Sequence, residues 1–175
     1  MRHDAFESVV LPQLDAAYNL ARWLVRDATS AEDVLQEAML RALTYFPSFR
    51  GDNPRAWLLQ IVRNTAYDAL KVDRDARFVP LAGAMEDDHT EVDLPFEGDD
   101  PETSLIKSRD RQMLRGLISE LPIELREALV LRELEELSYK EIAEVTATPI
   151  GTVMSRLWRA RRSLSQAVAA RRRAS

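Results

Sequence analysis

The sequence lacks cysteine and has only two histidines, His3 and His89. Without cysteine the chain has no disulfides, thiolate metal ligands or cysteine nucleophiles, and two separate histidines predict no metal site. No run approaches the roughly 20 apolar residues that span a bilayer. The first residues, MRHDAFESVV, lack the apolar core of a signal peptide. We therefore expect a cytoplasmic protein with no direct membrane insertion.

The residue patterns of common enzyme sites are also missing. The five glycines form no glycine-rich phosphate loop, and no Ser/His/Asp or Cys/His set can be assembled around the histidines. A group of aspartates could be imagined as a divalent-metal site, but its spacing fits no EF-hand loop. These aspartates are Asp87, Asp88, Asp93, Asp99 and Asp100. We expect no enzymatic activity and no cofactor.

Charge is segregated along the chain, although its net value is −5. Residues 75–104 carry one basic and ten acidic side chains, whereas residues 105–175 carry 14 basic and nine acidic ones. No acid follows Glu144. Phosphate binding depends on such local basic surfaces rather than on the net charge of a protein. The arginines after Glu144 are Arg156, Arg159, Arg161, Arg162, Arg171, Arg172 and Arg173.

The spacing of apolar residues predicts an all-α protein with two small helical domains joined by a flexible linker. Up to residue 74, apolar residues recur at helical spacing, as in Leu20, Trp23 and Leu24, which predicts a helical bundle. Residues 75–104 lose this period and are rich in acids, glycine and proline, as linkers are. Helical spacing returns over residues 105–175 and predicts a four-helix domain.

The segment from residue 137 to residue 164 predicts a helix-turn-helix. Ser138 and Glu141 form a capping box for a helix of about eight residues. A turn at Thr146 and Ala147 follows, and Thr148 and Pro149 are an N-cap and a first helical residue. The second helix has a buried stripe of Val153, Leu157, Ala160 and Leu164 opposite Thr152, Ser155, Arg156, Arg159 and Ser163. An ordinary helical hairpin with a solvated basic face is the alternative.

In the N-terminal half, the segment SAEDVLQEAMLRALTYF predicts an amphipathic helix. Ser30 is the candidate N-cap, with Asp33 three residues later. The predicted buried stripe is Val34, Leu35, Ala38, Met39, Ala42 and Leu43. The other face holds Asp33, Gln36, Glu37, Leu40 and Arg41. An exposed leucine among polar groups suggests a partner surface, although a solvated face explains the same pattern.

A further helix is predicted from about Arg55 to Lys71, after the loop FPSFRGDNP. Its inward side has Leu58, Ile61, Val62, Thr65, Ala69 and Leu70, and its outer side has Gln60, Arg63, Asn64, Tyr67, Asp68 and Lys71. The amide, carboxylate and guanidinium groups suit an unstacked base edge, and Arg63 and Lys71 suit phosphates. The loop Phe49 to Asn53 is a candidate rim for an extruded base. We interpret Trp57 as a core residue.

Three segments resemble extracytoplasmic-function (ECF) sigma factors of bacterial RNA polymerase. LPIELREALVLRELEELSYKEIAEVTATPIGTVMSRLWRARRSL resembles region 4, AEDVLQEAMLRA resembles region 2.2, and FRGDNPRAWLLQIVRNTAYDALK resembles regions 2.3 to 2.4. The resemblance covers residues 5 to 72 and 105 to 165 in the family's order. Three positions depart from it: the family usually has glycine in place of Ala147, acidic or small residues near Ile150, and lysine or arginine in place of Met154.

The resemblance implies a sigma factor that binds core polymerase and directs promoter-specific initiation, with residues 1–74 as region 2 and 105–175 as region 4. It implies contact with the clamp helices and flap of the polymerase, with duplex and melted promoter DNA, and with an anti-sigma factor. The implied core-binding residues are Asp33, Gln36, Glu37, Leu40 and Arg41. The implied minus-ten residues are Arg50, Asp52, Asn53, Arg63, Asn64, Tyr67, Asp68 and Lys71. The implied minus-thirty-five residues are Thr148, Thr152, Ser155, Arg156, Arg159 and Arg162.

Two questions stay open at the level of sequence. A stand-alone helix-turn-helix regulator binding duplex DNA is the alternative function, although the N-terminal half shows no sensor or receiver domain. The acidic linker is expected to hold the two domains apart by self-repulsion, as a solvated spacer. Its other reading is a nucleic-acid mimic that lies in a basic channel of the polymerase, as the corresponding family segment is thought to do.

Overall fold

The computed structural model describes residues 2–76 and 101–174. These residues form eight α-helices and two 3-10 turns, Leu11–Gln13 and Phe46–Ser48, and no strand. The all-α prediction is confirmed. None of the described helices is long and apolar enough to cross a membrane. The helices are α1 Arg2–Val10, α2 Leu14–Val25, α3 Ala28–Tyr45, α4 Pro54–Ala76, α5 Pro101–Ser119, α6 Ile123–Glu133, α7 Tyr139–Thr146 and α8 Ile150–Ala174.

In the N-terminal half, α2, α3 and α4 pack against one another. Leu20 and Leu24 of α2 and Leu58 and Val62 of α4 are fully or almost fully buried. On α3 the contact is made mostly by alanines, because small side chains allow neighbouring helices to approach closely. The inward residues predicted for α3 and α4 lie on the buried or half-buried sides, with one exception. Leu43 is 41% exposed, so its place in the buried stripe was wrong.

The start of α3 differs from the prediction. Helix α3 begins at Ala28, and Asp27 is its N-cap, with extended backbone and a carboxylate that accepts a hydrogen bond of 2.7 Å from the Ser30 backbone N–H. Ser30 therefore lies inside the first turn, and the predicted capping box of Ser30 and Asp33 is wrong. The real cap lies three residues earlier because aspartate satisfies a free N–H and also carries the negative charge that a helix N-terminus favours.

The helices on either side of the acidic segment are longer than predicted. Helix α4 continues to Ala76, beyond the expected end at Lys71, and α5 already begins at Pro101 instead of Leu105. Proline at a first helical position and an acidic residue, Glu102, in the first turn both favour the earlier start. The remainder of the predicted linker, including the five aspartates considered above as a metal site, lies outside the described residues. The spacer and mimic interpretations of this segment itself remain predictions, and only the expected separation of the two domains is tested by the described residues.

The helix-turn-helix forms in the C-terminal half as predicted. Helix α7 has eight residues, and its capping box is complete, with Glu141 N–H donating to Ser138 Oγ and Ser138 N–H donating to the Glu141 carboxylate. Ala147 ends α7 in the left-handed conformation, with φ 51° and ψ 43°. The predicted start of α8 at Pro149 was one residue early. Helix α8 begins at Ile150, and the Pro149 carbonyl accepts its first helical hydrogen bonds.

The two halves of the chain pack against each other. Helices α2 and α4 contact α6 and α7, and one buried apolar cluster contains residues of both halves, such as Leu20 and Leu58 with Leu131 and Ile142. This arrangement contradicts the expectation that the acidic segment holds the domains apart. Burial of apolar surface at the junction is a favourable term that a self-repelling linker has to overcome.

Candidate nucleic-acid interface

The second helix of the helix-turn-helix presents a polar face to solvent. Val153, Leu157 and Ala160 are buried and Leu164 is half-buried, so the predicted inner stripe fixes the rotation of α8. The opposite residues are exposed or half-buried, and they are Thr152, Ser155, Arg156, Arg159, Arg162 and Ser163. We call Thr152, Ser155, Arg156, Arg159 and Arg162 the α8 face. Hydroxyl and guanidinium groups on such a face suit phosphates and base edges in the major groove.

Neighbouring polar residues on the same motif are already engaged within the protein. Arg161 forms an ion pair of 2.6 Å with Glu133 of α6, and this hydrogen bond raises the pKa of the guanidinium. The Thr148 hydroxyl lies 2.8 Å from the Thr146 hydroxyl, so Thr148 holds the turn together. Within the described part of the chain, Arg156 and Arg159 form no ion pair. They are thus available to an external anion.

Exposed apolar residues on α8 were missed by the sequence reasoning. Ile150, Met154 and Trp158 are 45%, 53% and 59% exposed and follow one another at steps of four. The Arg162 guanidinium lies 5.1 Å from the Trp158 ring centre, at the distance of a cation–π contact. A step of four is also the step of a buried stripe, so spacing alone does not reveal these residues. The polar side predicted for α8 is therefore flanked by an apolar one.

Two of the residues predicted to bind DNA from α4 are held by the C-terminal half. Arg63 Nε donates a hydrogen bond of 2.5 Å to Glu127 Oε1 of α6, and the Tyr67 hydroxyl donates one of 2.6 Å to Glu127 Oε2. The Arg63 guanidinium also lies over the Tyr67 ring, 3.9 Å from its centre. The Glu127 side chain is fully buried, and the Arg63 side chain is 17% exposed. No sequence pattern predicted a role for Glu127.

The ionisation of these groups follows from their surroundings. Burial, followed by the Glu127 carboxylate, raises the pKa of Tyr67 far above its usual range, so the phenol stays protonated and donates. For Arg63, burial disfavours the charged form, but the hydrogen bond and ion pair with Glu127 outweigh it and raise the pKa. Both side chains are therefore hydrogen-bond donors to one carboxylate.

The remaining outer residues of α4 are exposed. Asn64, Asp68 and Lys71 all face solvent. The Asp68 carboxylate accepts a hydrogen bond of 2.8 Å from Arg41 Nη1 of α3. This bond raises the pKa of Arg41, and burial only partly opposes it. We call Arg63, Asn64, Tyr67, Asp68 and Lys71 the α4 face.

The loop before α4 is ordered by its own side chains. Arg50 Nη1 donates to the carbonyls of Pro47 and Phe49, and Asn53 Oδ1 accepts from the Ala56 N–H and so caps α4. Asp52 is exposed. The predicted minus-ten residues of the loop thus have structural roles at Arg50 and Asn53.

A cleft of about 600 Å³ opens at this loop. Its lining includes the loop from Ser48 to Asn53, Trp57 and Gln60 of α4 and, on the opposite side, residues of α7 such as Lys140 and Glu144. The Trp57 ring packs 4.7 Å from the ring centre of Phe49, as expected for a structural residue, although it also borders the cleft. The predicted rim of a base pocket is present and is shared with the C-terminal half.

The predicted partner surface of α3 lies in solvent. Asp33, Gln36 and Glu37 are exposed, and Leu40 is 62% exposed. Arg41 is half-buried and pairs with Glu37, at 3.0 Å, as well as with Asp68. We call Asp33, Gln36, Glu37, Leu40 and Arg41 the α3 face. Because a large apolar side chain lies among charges there, the surface suits a protein partner.

Further polar contacts join the halves of the chain, and two of them involve buried charged side chains. Arg55 Nη2 lies 2.7 Å from the Glu135 carboxylate and also donates to the Glu135 carbonyl. The Glu135 side chain is only 5% exposed, and burial raises its pKa against the effect of Arg55. Arg126 of α6 is buried and donates to the Leu24 carbonyl of α2, and its burial lowers its pKa to about 10.

Comparisons with known proteins match both halves of the chain. Residues 10–75 match the family Sigma-70 region 2, and residues 111–164 match the family Sigma-70, region 4. The chain is 39% identical over 173 residues to the RNA polymerase sigma-H factor of Pseudomonas aeruginosa, covering 94% of this chain and 86% of the relative. It is 38% identical over 138 residues to the ECF RNA polymerase sigma-E factor of Escherichia coli K12, covering 78% and 72% of the two chains.

The fold agrees with that of a solved sigma factor. The sigma factor RpoE of Bartonella quintana, in complex with the anti-sigma factor NepR, superposes with a TM-score of 0.70 at 26% identity, covering 94% of this chain and 97% of that one. A stand-alone helix-turn-helix regulator would not match region 2. Because this chain matches both regions in the family's order, that alternative is not favoured. The chain therefore belongs to the sigma-70 family of bacterial RNA polymerase sigma factors, in its extracytoplasmic-function group.

Proposed function

We propose that this sigma factor uses three separate surfaces in promoter-specific initiation. The α3 face binds core RNA polymerase, the α4 face and the loop Arg50 to Asn53 read and melt the minus-ten element, and the α8 face with Thr148 reads the minus-thirty-five element. The observation that carries this proposal is the α8 face itself. A buried stripe fixes one side of α8, and from the other side project Arg156 and Arg159, which form no ion pair with any residue that the structure describes.

For the minus-thirty-five element, Arg156 and Arg159 are the side chains expected to contact base edges or phosphates. Guanidinium groups bind the O6 and N7 atoms of guanine with two hydrogen bonds and also bind phosphate oxygens. Thr148, Thr152 and Ser155 contribute hydroxyls for backbone contacts that set the position of the helix. Arg162, which lies over Trp158, is placed to bind a phosphate from the edge of the face.

For the minus-ten element, the exposed amide and carboxylate of Asn64 and Asp68 suit the edge of an unstacked base. Lys71 suits a phosphate of the melted strand, and so does Arg63 once it is released from Glu127. The cleft beside the loop supports a pocket for one extruded base on the N-terminal side. In this proposal the loop residues Arg50 and Asn53 shape the pocket rather than grip the base.

For the polymerase, the α3 face fits a partner surface that carries positive charge and an apolar contact point. Asp33 and Glu37 supply carboxylates, and Leu40 supplies exposed apolar area. Such a face favours an interface in which charge complementarity sets orientation and one apolar side chain is buried. The clamp helices are the proposed site of contact, and the flap is the proposed partner of the C-terminal half.

Regulation and location form the rest of the proposal. Because the sigma factor from Bartonella quintana was solved with an anti-sigma factor bound, we infer that an anti-sigma factor controls this one as well. We place the protein in the cytoplasm, where it acts by binding, without catalytic chemistry of its own.

The test is transcription with sigma-free core polymerase. The purified chain is added to the core enzyme on genomic DNA, and transcript starts are mapped. New start sites that share two spaced sequence elements are expected. The variant with Arg156→Ala and Arg159→Ala serves as the matched control and should lose dependence on the upstream element. An absence of new starts, together with duplex DNA binding by the chain alone, would instead support a stand-alone regulator.

A further inference from the structure

Three exposed apolar side chains on α8 have no part in the proposed function. Ile150, Met154 and Trp158 are 45%, 53% and 59% exposed and lie in the first three turns of the second helix of the helix-turn-helix. Exposed apolar groups that follow one another at steps of four form a surface that a partner can cover. The N-terminal turns of this helix are also the part that meets base edges when a helix-turn-helix binds duplex DNA.

Met154 and Trp158 border an open cleft of about 640 Å³ that is lined from both α7 and α8. Tyr139 of α7 and the side chains of Arg161 and Arg162 complete its lining. Arg161 is held by Glu133 of α6, at 2.6 Å, and the Arg162 guanidinium lies over the Trp158 ring. The cleft therefore combines apolar and aromatic side chains with two guanidinium groups.

The residue between this apolar surface and the α8 face is a glycine. Gly151 lies three residues before Met154 and four before Ser155, so it adjoins both on the helix surface. A Cβ added at Gly151 would meet no neighbouring atom within 4 Å, so packing within the described chain does not require glycine there. Glycine also destabilises a helix relative to alanine. Its missing side chain leaves room for an external group to approach α8 beside Met154.

Charge identifies the kind of partner that fits this surface. No acidic residue follows Glu144, so α8 has no carboxylate side chain and its charged side chains are all arginines. A partner has to supply anionic groups together with an apolar group for Met154. The major groove of duplex DNA supplies both, because phosphates border it and the C5-methyl group of each thymine projects into it. The Met154 thioether is apolar and donates no hydrogen bond, so it suits this methyl group better than the polar base edges.

We propose that Met154 is a specificity-determining residue that contacts the C5-methyl group of a thymine in the minus-thirty-five element, with Trp158 extending the same apolar contact. The inference rests on the proposed function, because it requires α8 to enter the major groove of that element. Arg162, which lies over Trp158, then meets the phosphates at the border of the groove. The protein reads at least one base of the element by apolar contact, in addition to the contacts assigned to Arg156 and Arg159.

The test removes the methyl group alone. The preferred upstream element is first selected from promoters randomised in that region, by transcription with holoenzyme reconstituted from core polymerase and the full chain. Each thymine of the selected element is then replaced by deoxyuridine, which keeps the base pair but lacks the C5-methyl group. At one thymine or more, the affinity of the holoenzyme for the duplex promoter should fall about fourfold, the factor expected when one methyl-sized group is no longer buried.

Variants of Met154 identify the residue that is responsible. Met154→Leu keeps an apolar side chain and should retain the effect of deoxyuridine. Met154→Gln keeps the length of the side chain but ends in an amide, and it should bind the thymine and deoxyuridine promoters equally. Ile106→Gln on α5 is the matched control, because Ile106 is also 53% exposed and its replacement should leave the effect unchanged.

Three results would each contradict the assignment. If the selected element has no thymine, or if deoxyuridine never changes the affinity, no methyl group is read, and the proposed function still stands because an upstream element was selected. If the loss persists in Met154→Gln, another residue reads the methyl group. If Met154→Gln instead lowers the affinity for core polymerase without DNA, the apolar side chains of α8 bind protein. Failure to select any upstream element would contradict the proposed function itself, and this inference with it.

Discussion

Arg41 Nη1 on α3 lies 2.8 Å from Asp68 Oδ2 on α4, so one guanidinium connects the surface proposed for polymerase to the surface proposed for promoter DNA. The same guanidinium pairs with Glu37 at 3.0 Å. Asp68 is exposed, and pairs of this kind contribute at most about 1 kcal/mol to stability. Replacement of Asp68 removes one of the two carboxylates that bind the Arg41 guanidinium, so it also changes the surface proposed for polymerase.

Asn64 and Asp68 should therefore behave differently when each is replaced by alanine. Asn64→Ala should lower open-complex formation on duplex promoters and leave the affinity for core polymerase unchanged, because its exposed amide is the group expected to meet the base. Asp68→Ala should lower open-complex formation and also alter core affinity through the released Arg41. Permanganate footprinting and a core titration measure the two effects. A pre-melted template should recover part of the loss, and normal footprints in both variants would remove these residues from the minus-ten site.

On α8, Arg156→Ala and Arg159→Ala should each weaken promoter use by about 1 to 3 kcal/mol if the side chains contact base edges. Arg161→Ala is a matched control on the same helix, because Arg161 is held by Glu133. Transcription from templates varied in the upstream element separates base contacts from phosphate contacts, since loss of a phosphate contact weakens all sequences alike. Equal loss of activity in all three variants would contradict the assignment of the face.

On α3, Asp33→Lys should weaken binding to core polymerase, because it reverses a charge on the proposed interface without touching the buried stripe. Glu32→Lys changes the same charge on the neighbouring exposed residue outside that face and should have a smaller effect. Core affinity measured by titration, with helical content followed by circular dichroism, tests the pair. Wild-type affinity of Asp33→Lys would identify the face as merely solvated.

The N-cap of α3 gives a stability prediction. Asp27→Ala should lower the free energy of unfolding by about 1 kcal/mol, the usual contribution of an N-cap side chain. Ser30→Ala keeps the backbone N–H that donates to Asp27 and should cost less. Hydrogen bonds from Ser30 lower the pKa of Asp27 below its ordinary value of 3.8. The stabilisation should therefore be present above about that pH and be lost as the pH falls through the folded-state pKa. Urea unfolding between pH 7 and pH 3 measures both effects.

Much of the fold follows from local sequence. The spacing of Val153 and Leu157, the capping box of Ser138 and Glu141 and the turn at Ala147 are short-range signals, and each appears in the structure as predicted. The cap of α3 was misplaced because both Asp27 and Ser30 are good N-cap residues and the pattern alone does not choose between them.

The junction between the halves could not be predicted, because it depends on contacts between residues far apart in sequence. Glu127 lies in an ordinary charged helix, and nothing near it indicates that it meets Arg63, 64 residues earlier. The burial of Arg126 likewise becomes visible only once α6 lies against α2. Of the DNA-binding residues predicted on α4, Asn64, Asp68 and Lys71 are exposed. Arg63 and Tyr67 are instead covered by α6, which the sequence pattern assigned to a separate domain.

The apolar cluster that crosses the junction has a consequence for how the free chain unfolds. Two independent domains of this size would each melt on their own, with little heat absorbed in either transition. Because Leu20 and Leu58 share a core with Leu131 and Ile142, loss of one half exposes apolar surface of the other. Calorimetry of the free chain should give one cooperative peak whose van't Hoff and calorimetric enthalpies agree. Arg55→Gln should split that peak in two, each half then melting at its own, lower temperature.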